Sequence, residues 1–362
     1  MAHPELAVGA FLACVLVLIP LPWQWRARNT PVLSMMAWLF ATNLSYAINA
    51  VIWYDSIDNV APVWCDIVTK LAIGSEAGLP ACCLALVLRL WQVTSPNLGS
   101  RKFLMLDLSL CWGYPALTMI LHYIVQGHRF DIRQDLGCVP TTYISIPAIF
   151  IIYAPLAIIA LLSFVFSGLA FSNFWRRRHS FAAALQRQKS SFTMRRYLRA
   201  MLATIVIAIW DTAVIIFVVV SSFRYGLHPY TSWADVHSDF SRPDQYPTLF
   251  IPATALTQMY FIWWTVPISA YSFFCFFALC EDAVAEYRWV LRLVPRIRRG
   301  SKPDPSSSAP TSMEEEHHLS LPQRQTTAKA TSAPPIDTVV DIKPDWKYSS
   351  AHPTRLQTRV DG

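Results

Sequence analysis

Four ionisable residues stand within long apolar stretches of this sequence: Asp66, Lys70, Glu76 and Asp211. A charged side chain in an apolar environment is costly unless it is paired or faces water, so such residues mark structural ion pairs, ion paths or ligand contacts. Asp66 and Lys70 are four positions apart, which places both on one face of a helix where they can pair. We expect Glu76 and Asp211 to lie near the middle of their helices and to face the interior of a helix bundle.

A second group of polar residues lies between positions 122 and 131. His122 and His128 are close in sequence to Asp131, and imidazole and carboxylate groups are common metal ligands. Structural metal sites use four ligands at a defined spacing, and the surrounding sequence adds no Cys or His in such a pattern. We therefore predict no metal site, no cofactor and no enzymatic activity.

The elements that must position these residues are seven apolar stretches. Hydrophobic residues make up 54% of the chain and charged residues only 15%, which is too apolar for an ordinary soluble domain. A helix needs about 20 predominantly apolar residues to span a bilayer. The stretches of this kind are residues 6–23, 32–53, 64–91, 103–125, 143–174, 197–223 and 249–279. The predicted fold class is thus an all-α membrane protein, a seven-transmembrane helix bundle.

Four prolines fall within these stretches: Pro80, Pro155, Pro252 and Pro267. A proline inside a helix removes one backbone hydrogen bond and bends the helix. We therefore expect kinks in the third, fifth and seventh helices.

Basic residues are distributed unevenly between the two sides of the predicted bundle. Cytoplasmic loops of membrane proteins are enriched in Lys and Arg. The loops that follow the first, third and fifth stretches carry most of the basic residues, so we place them inside and the N-terminus outside. Because topology alone explains this charge, we predict no nucleic-acid partner.

Two of the eight cysteines differ from the others in position. Cys65 lies at the outer end of the third stretch and Cys138 in the second outer loop, on the side that faces an oxidising compartment. We expect these two to form a disulfide that holds the loop over the mouth of the bundle. Most other cysteines fall in apolar stretches as small packing residues, and Cys280, at the inner boundary of the last stretch, is a candidate palmitoylation site.

The sequence predicts three regions along the chain. Residues 1–279 form the seven-helix domain, and residues 280–299 mix basic and apolar side chains as a juxtamembrane amphipathic helix does. Residues 300–362 are rich in Pro, Ser and Thr and poor in large apolar residues. They cannot bury enough surface to offset the entropy of ordering, so we predict a disordered cytoplasmic C-terminal tail.

Seven spans do not by themselves fix a function, because receptors, light-driven pumps and some transporters share that number. A retinal protein needs a lysine in its last helix, and residues 249–279 contain none. A membrane transporter or channel that uses Glu76, Asp211 and Lys70 as an ion path stays open as the alternative to a G-protein-coupled receptor.

Three segments resemble a known family. Residues 20–30, PLPWQWRARNT, resemble the first cytoplasmic loop of the fungal receptors for farnesylated peptide mating pheromones, and residues 61–70, APVWCDIVTK, resemble the start of their third helix. The resemblance is strongest in residues 122–132, HYIVQGHRFDI. It runs with gaps from about residue 21 to residue 288 and points to the basidiomycete B mating-type receptors, which are class D G-protein-coupled receptors of the a-factor receptor type.

The resemblance implies a multi-pass receptor in the lipid bilayer of the plasma membrane that binds a farnesylated peptide pheromone and signals through a heterotrimeric G protein. The residues expected to bind the ligand are Asp66, Lys70, Glu76, Tyr123, Gln126, His128, Arg129 and Asp131. The residues expected to couple to the G protein are Arg26, Arg28, Arg176, Arg177, Arg178, Arg195 and Arg196.

Overall fold

The computed structural model describes residues 3–93, 100–187, 194–224 and 226–278. Seven helices in these residues are long and apolar enough to cross a membrane, which confirms the predicted fold class: Pro4–Arg26, Thr30–Ile52, Pro62–Gln92, Leu104–Val125, Ile146–Arg176, Leu198–Phe223 and Ala253–Phe277. We refer to them as the first to the seventh span. The third span is the most central: 72% of its 18-residue apolar segment is buried, against 22% for the corresponding segments of the fourth and sixth spans.

Several spans are composed of more than one helical segment. The first consists of Pro4–Leu18 and Leu21–Arg26, and the third belongs to a helix that runs over Pro62–Val93. The fourth span begins within the helix Ser100–Leu108. It continues with a π-helical turn at Ser109–Gly113, the helix Tyr114–His122 and a 3₁₀ turn at Tyr123–Val125. The fifth begins with Ile146–Ala148 and a π-helical turn at Ile149–Tyr153, and continues as Ala154–Arg187. The sixth belongs to the helix Met194–Phe223.

The two π-helical turns explain how prolines are accommodated in the fourth and fifth spans. Pro115 and Pro155 each follow directly after the first residue beyond a π turn. A proline ring clashes with the carbonyl four residues earlier and cannot donate a hydrogen bond to it, and a locally wider turn relieves both problems. Pro80 and Pro267 lie inside continuous helices, as predicted. The kinks expected at Pro80, Pro155 and Pro267 stay predictions.

The outer end of the seventh span differs from the sequence prediction. The helix begins at Ala253, and Pro252 is its N-cap, so Pro252 is not a kink within the helix. A residue before proline is driven away from helical geometry, and Ile251 is extended accordingly, with φ −91° and ψ 127°. Leu249 and Phe250 therefore lie in a 3₁₀ turn outside the helix, where they are 85% and 80% exposed.

Trp38 of the second span organises the centre of the bundle. Its indole is 4% exposed and packs against Gly74 and Gly78 of the third span, where a Cβ atom would lie within 3.0 Å of a neighbouring side chain. Its Nε1 donates a hydrogen bond to the carbonyl of Cys111, 3.0 Å away in the π turn of the fourth span. Cys111 is the residue four before Pro115, so the carbonyl that the proline leaves without a helical donor is satisfied by Trp38. Three spans are joined by this one side chain.

A small sheet covers one end of the bundle. It consists of β1, Phe130–Arg133, β2, Gly137–Val139, and β3, Pro243–Tyr246. β1 pairs antiparallel with β2, with Ile132 opposite Cys138, and parallel with β3, with Phe130 opposite Pro243. We call this side of the bundle the outer side, following the orientation predicted from the basic residues. The sheet links the loop between the fourth and fifth spans to the loop between the sixth and seventh.

The sheet is attached to the bundle by buried contacts. Phe130 and Ile132 are both 0% exposed and pack in one cluster with Trp53 at the end of the second span. A disulfide joins Cys65 of the third span to Cys138 of β2, with their Cα atoms 5.2 Å apart. Gln134 adds hydrogen bonds to Asp55 Oδ1 at 2.6 Å and to the backbone N–H of Thr248, whose nitrogen lies 2.8 Å from Gln134 Oε1. Three outer loops are therefore held together.

The inner ends of the fifth and sixth spans continue well beyond the apolar stretches, to Arg187 and from Met194. An ion pair between Arg89 and Asp107 joins the inner ends of the third and fourth spans. Cys280, the amphipathic segment 280–299 and the tail 300–362 lie outside the described residues, and their predicted roles stay predictions.

Candidate ligand-binding site

Asp66 forms an ion pair with Arg129, which corrects the expected pairing of Asp66 with Lys70. The guanidinium of Arg129 donates from Nε to Asp66 Oδ1 at 2.8 Å and from Nη2 to Oδ2 at 2.5 Å. This two-point contact joins the outer end of the third span to the segment before β1, and the Asp66 hydrogen bond raises the pKa of Arg129 above its usual value. A planar guanidinium satisfies both carboxylate oxygens at once, which the single ammonium of Lys70 does not.

Lys70 instead contacts two neutral side chains. Its Nζ donates to Gln126 Oε1 at 2.6 Å and lies 3.2 Å from His122 Nδ1. Gln126 is itself fixed by a hydrogen bond from its Nε2 to the carbonyl of Arg129 at 2.7 Å. The Lys70 ammonium also lies 5.9 Å from the centre of the Tyr123 ring. Three of the expected ligand residues, Lys70, Tyr123 and Gln126, are thus neighbours.

His128 and Asp131 belong to a separate cluster that includes a residue the sequence did not indicate. His128 Nε2 is 2.7 Å from Asp131 Oδ1 and 3.5 Å from Asp244 Oδ2, so it connects β1 to β3. Arg133 and Arg242 lie beside the two carboxylates, at 3.6 Å from Asp131 and 2.8 Å from Asp244. The side-chain atoms of His128, Asp131 and Asp244 that could bind a metal ion lie within 4.8 Å of one another. The acids already have cationic partners, which fits a structural charge network joining two loops.

His122 is not part of that cluster. Its Nε2 lies 3.0 Å from the Thr142 hydroxyl, and its other nitrogen faces Lys70. The two histidines that are close in sequence therefore have different environments, because His122 ends a helix while His128 precedes a strand.

Tyr123 is surrounded by aromatic side chains from the loop between the sixth and seventh spans. Its ring centre lies 5.9 Å from Trp233, 5.6 Å from His237 and 5.4 Å from Phe240. Tyr123 and Trp233 are 46% and 50% exposed. An exposed aromatic cluster next to a cation is typical of a surface that binds a ligand with both apolar and polar groups. Sequence reasoning found only Tyr123, because the other three rings come from a loop more than a hundred residues away.

Glu76 is exposed although it lies in the middle of the third span. Tyr46 of the second span and Tyr153 of the fifth are close enough to interact electrostatically with its carboxylate. Because side chains of two other spans lie near it, the Glu76 carboxylate points between the second, third and fifth spans. This position agrees with the expectation that its carboxylate points to the interior.

Asp211 lies deeper, beside a mainly apolar cleft between the second, third, sixth and seventh spans. The cleft has an empty volume of about 410 Å³, and its polar lining includes Asp211, Ser269 and Ser272. The Oδ2 atom of Asp211 is buried and has no hydrogen-bond partner among the described residues. Trp210 next to it donates to Ser269 Oγ at 3.0 Å and connects the sixth span to the seventh.

The inner arginines are only partly described. Arg26 ends a helix and Arg28 follows it with a φ of 50°, and both side chains are exposed, as is that of Arg176. Arg177, Arg178, Arg195 and Arg196 fall within the inner extensions of the fifth and sixth helices. Their expected role in coupling stays a prediction.

Comparison with known proteins identifies relatives over most of the chain. A pheromone B beta 1 receptor from Schizophyllum commune is 45% identical over 309 residues, which cover 83% of this chain and 57% of that protein. A pheromone B alpha 2 receptor from the same species is 33% identical over 328 residues, covering 84% of this chain and 50% of the relative. The pheromone a factor receptor of Saccharomyces cerevisiae is 25% identical over 310 residues, or 81% and 63% of the two chains.

This chain spans about half the length of the two Schizophyllum relatives. The family model described as pheromone A receptor matches residues 5–297, which include nearly all of the first span and the whole of the other six. The chain therefore belongs to the pheromone A receptor family.

Proposed function

We propose that this protein is a plasma-membrane receptor for a farnesylated peptide pheromone and that it signals through a heterotrimeric G protein. The observation that carries the proposal is the 45% identity, across 83% of the chain, to a protein named as a pheromone receptor. The geometry is compatible with that role, because the outer loops, which a disulfide and a sheet fix to the bundle, present an aromatic and cationic surface.

The contacts of the expected ligand residues support a division into two groups, with Gln126 as the hydrogen-bond partner of Lys70. Asp66 with Arg129, and His128 with Asp131, are engaged in ion pairs that hold the outer loops in place. Lys70, Glu76 and Tyr123 have no carboxylate or cationic partner within ion-pair distance in the described part of the chain, and Tyr123 and Glu76 are exposed. We assign the first group to positioning and the second group to direct contact with the peptide half of the pheromone.

The isoprenoid half of the ligand requires an apolar environment. A chain of this kind partitions into lipid, and large apolar side chains are exposed along the first, fourth, fifth and sixth spans, so we propose that it reaches the receptor from the bilayer. Ligand binding changes the receptor only to the extent that the ligand binds one arrangement of the helices more tightly than another. In our proposal the favoured arrangement presents Arg26, Arg28 and the inner extensions of the fifth and sixth helices to the G protein.

The transporter alternative receives less support. Among the described residues, Glu76, Asp211 and Lys70 make no hydrogen bond with one another. Lys70 of the third span is instead bound to His122 and Gln126 at the outer end of the fourth span. An ion path requires ligating groups that follow one another across the membrane. The relatives named above are receptors by name, which also favours signalling.

The test is a reporter assay in a yeast strain that lacks its own pheromone receptor but keeps the G protein. Cells that express this chain with a fluorescent tag are exposed to a panel of farnesylated pheromone peptides and to the same peptides without the farnesyl group. We expect one or more farnesylated peptides to activate the reporter, the unmodified peptides to be inactive, and the tag to lie at the cell surface. Silence across the panel with normal surface fluorescence would contradict the proposal.

A further inference from the structure

Lys70 is a half-buried cation that has no acidic partner in the described part of the structure. Asp66, one helical turn away, has both oxygens occupied by Arg129. The contacts of Lys70 are the amide oxygen of Gln126 and a ring nitrogen of His122. An ammonium has three N–H donors, so one donor has no partner among the described residues.

The hydrogen bonds around Lys70 fix where its ammonium lies. His122 accepts from Lys70 at Nδ1, so its remaining proton is on Nε2 and is donated to the Thr142 hydroxyl at 3.0 Å. Gln126 presents its oxygen to Lys70 because its Nε2 donates to the carbonyl of Arg129. His122 is 1% exposed and Gln126 is 5% exposed, so neither side chain has room to turn away. The ammonium is thus held in one position by partners that do not cancel its charge.

The charges in direct contact at this site sum to one positive charge. Arg129 matches the charge of Asp66 through two hydrogen bonds, and Lys70 adds a cation with no carboxylate in contact among the described residues. Attraction between opposite charges is stronger where the effective dielectric constant is reduced, as it is at a partly buried site. An anionic group is therefore attracted to Lys70 in preference to other parts of the outer surface, and the exposed Tyr123 ring borders the approach to it.

We propose that Lys70 is the contact for a carboxylate side chain in the peptide half of the pheromone, with His122 and Gln126 as positioning residues. This inference rests on the proposed receptor function and adds the chemical class of the ligand group that the site selects. A charge-assisted hydrogen bond from a fixed ammonium is both strong and selective, since an amide of the same shape carries no charge to match it.

The test uses the farnesylated peptide that gives the strongest response in the reporter assay. Each Asp or Glu of the peptide is replaced in turn by Asn or Gln, and the concentration for half-maximal response is measured on the natural receptor, on Lys70→Gln and on Lys70→Arg. The readout is the ratio between amide and acid peptides on one receptor, so differences in expression cancel. Arg224→Gln, which removes a different, exposed cation on the outer side, is the matched control for long-range charge.

On the natural receptor we expect one amide replacement to weaken the response about tenfold to a hundredfold, as for loss of a hydrogen bond to a charged group. The ratio should fall to about one on Lys70→Gln, stay well above one on Lys70→Arg and be unchanged on Arg224→Gln. Activation by a peptide without acidic side chains would overturn this inference but not the receptor function. The same would follow if Lys70→Gln gave the same amide-to-acid ratio as the natural receptor. A stronger response seen only when the C-terminus of the peptide is a free carboxylate rather than an ester would overturn the assignment to a side chain. No response of the natural receptor to any peptide would overturn the receptor function and this inference together.

Discussion

The contact between Trp38 and Gly78 predicts that adding a single methyl group at the centre of the bundle destabilises the receptor. In Gly78→Ala the new Cβ would lie 2.7 Å from Trp38 Nε1 and 2.8 Å from Cε2. Ordinary contacts of this kind are about 3.5 Å or longer, so the indole must move by about 0.8 Å. The movement acts directly on the atom that donates to the Cys111 carbonyl at 3.0 Å.

The magnitude follows from three contributions. Overpacking of a filled core costs about 1–3 kcal/mol, and weakening a buried hydrogen bond costs about 0.5–1.5 kcal/mol. The better helix propensity of alanine returns about 1 kcal/mol. The net loss in the free energy of unfolding is about 2 kcal/mol, which lowers the midpoint of thermal unfolding by about 4–8 °C for a domain of this size.

The assay is thermal unfolding of the purified receptor in detergent, followed by intrinsic tryptophan fluorescence. The matched control is Gly168→Ala in the fifth span, because a Cβ at Gly168 meets nothing within 4 Å. That control should leave the midpoint unchanged or raise it slightly. In a Trp38→Phe background the smaller ring makes room, so Gly78→Ala should then cost much less. Equal midpoints for Gly78→Ala and Gly168→Ala would refute the packing argument.

Two further predictions concern the outer loops. Gly137→Ala should reduce surface expression more than Gly226→Ala: both glycines have positive φ, 77° and 84°, but only at Gly137 would the new Cβ meet other atoms within 3 Å. Surface expression is measured by a cell-surface binding assay with a tagged receptor. Similar losses of expression for Gly137→Ala and Gly226→Ala would show that backbone geometry alone is responsible. Asp66→Asn and Arg129→Gln should each lower the free energy of unfolding by about 0.2–1 kcal/mol, as is typical of a partly exposed ion pair, and the thermal midpoint should fall accordingly. Exchanging the two charges, as Asp66→Arg with Arg129→Asp, should restore part of the loss, and no recovery in this double variant would argue against a direct contact.

The helices could be predicted from the sequence because each depends on a local pattern. Runs of about 20 apolar residues identified all seven spans, and the distribution of Lys and Arg suggested their orientation. Position alone singled out Cys65 and Cys138, which the structure brings together. The largest error in the spans was at residue 249, where hydrophobicity continues but Pro252 prevents the helix from starting earlier.

The contacts of the site could not be predicted because they join residues far apart in the chain. Helical spacing favoured Lys70 as the partner of Asp66, but Arg129, 63 positions away, offers a better-matched geometry. Asp244 reaches the site through the pairing of β3 with β1, and a parallel pair of short strands leaves no periodic signal of its own. Trp233 is brought there by a loop whose His237 lies 3.0 Å from the carbonyl of Tyr123, a contact between distant residues that leaves no local signal either. The hydrogen bond from Trp38 to Cys111 could not be predicted from apolar periodicity either.

The outer sheet has a mechanical consequence for the whole bundle. β1 lies between the fourth and fifth spans, β3 between the sixth and seventh, and the disulfide adds the third, so the outer ends of five spans share one pivot. The helix Met194–Phe223 has 30 residues and is about 45 Å long, so it acts as a lever arm from that pivot. Tilting such an arm by about 10° moves its far end by about 8 Å, while atoms beside the pivot barely move. A tilt of this helix about the sheet would therefore displace its inner end, where Arg195 and Arg196 lie, far more than its outer end.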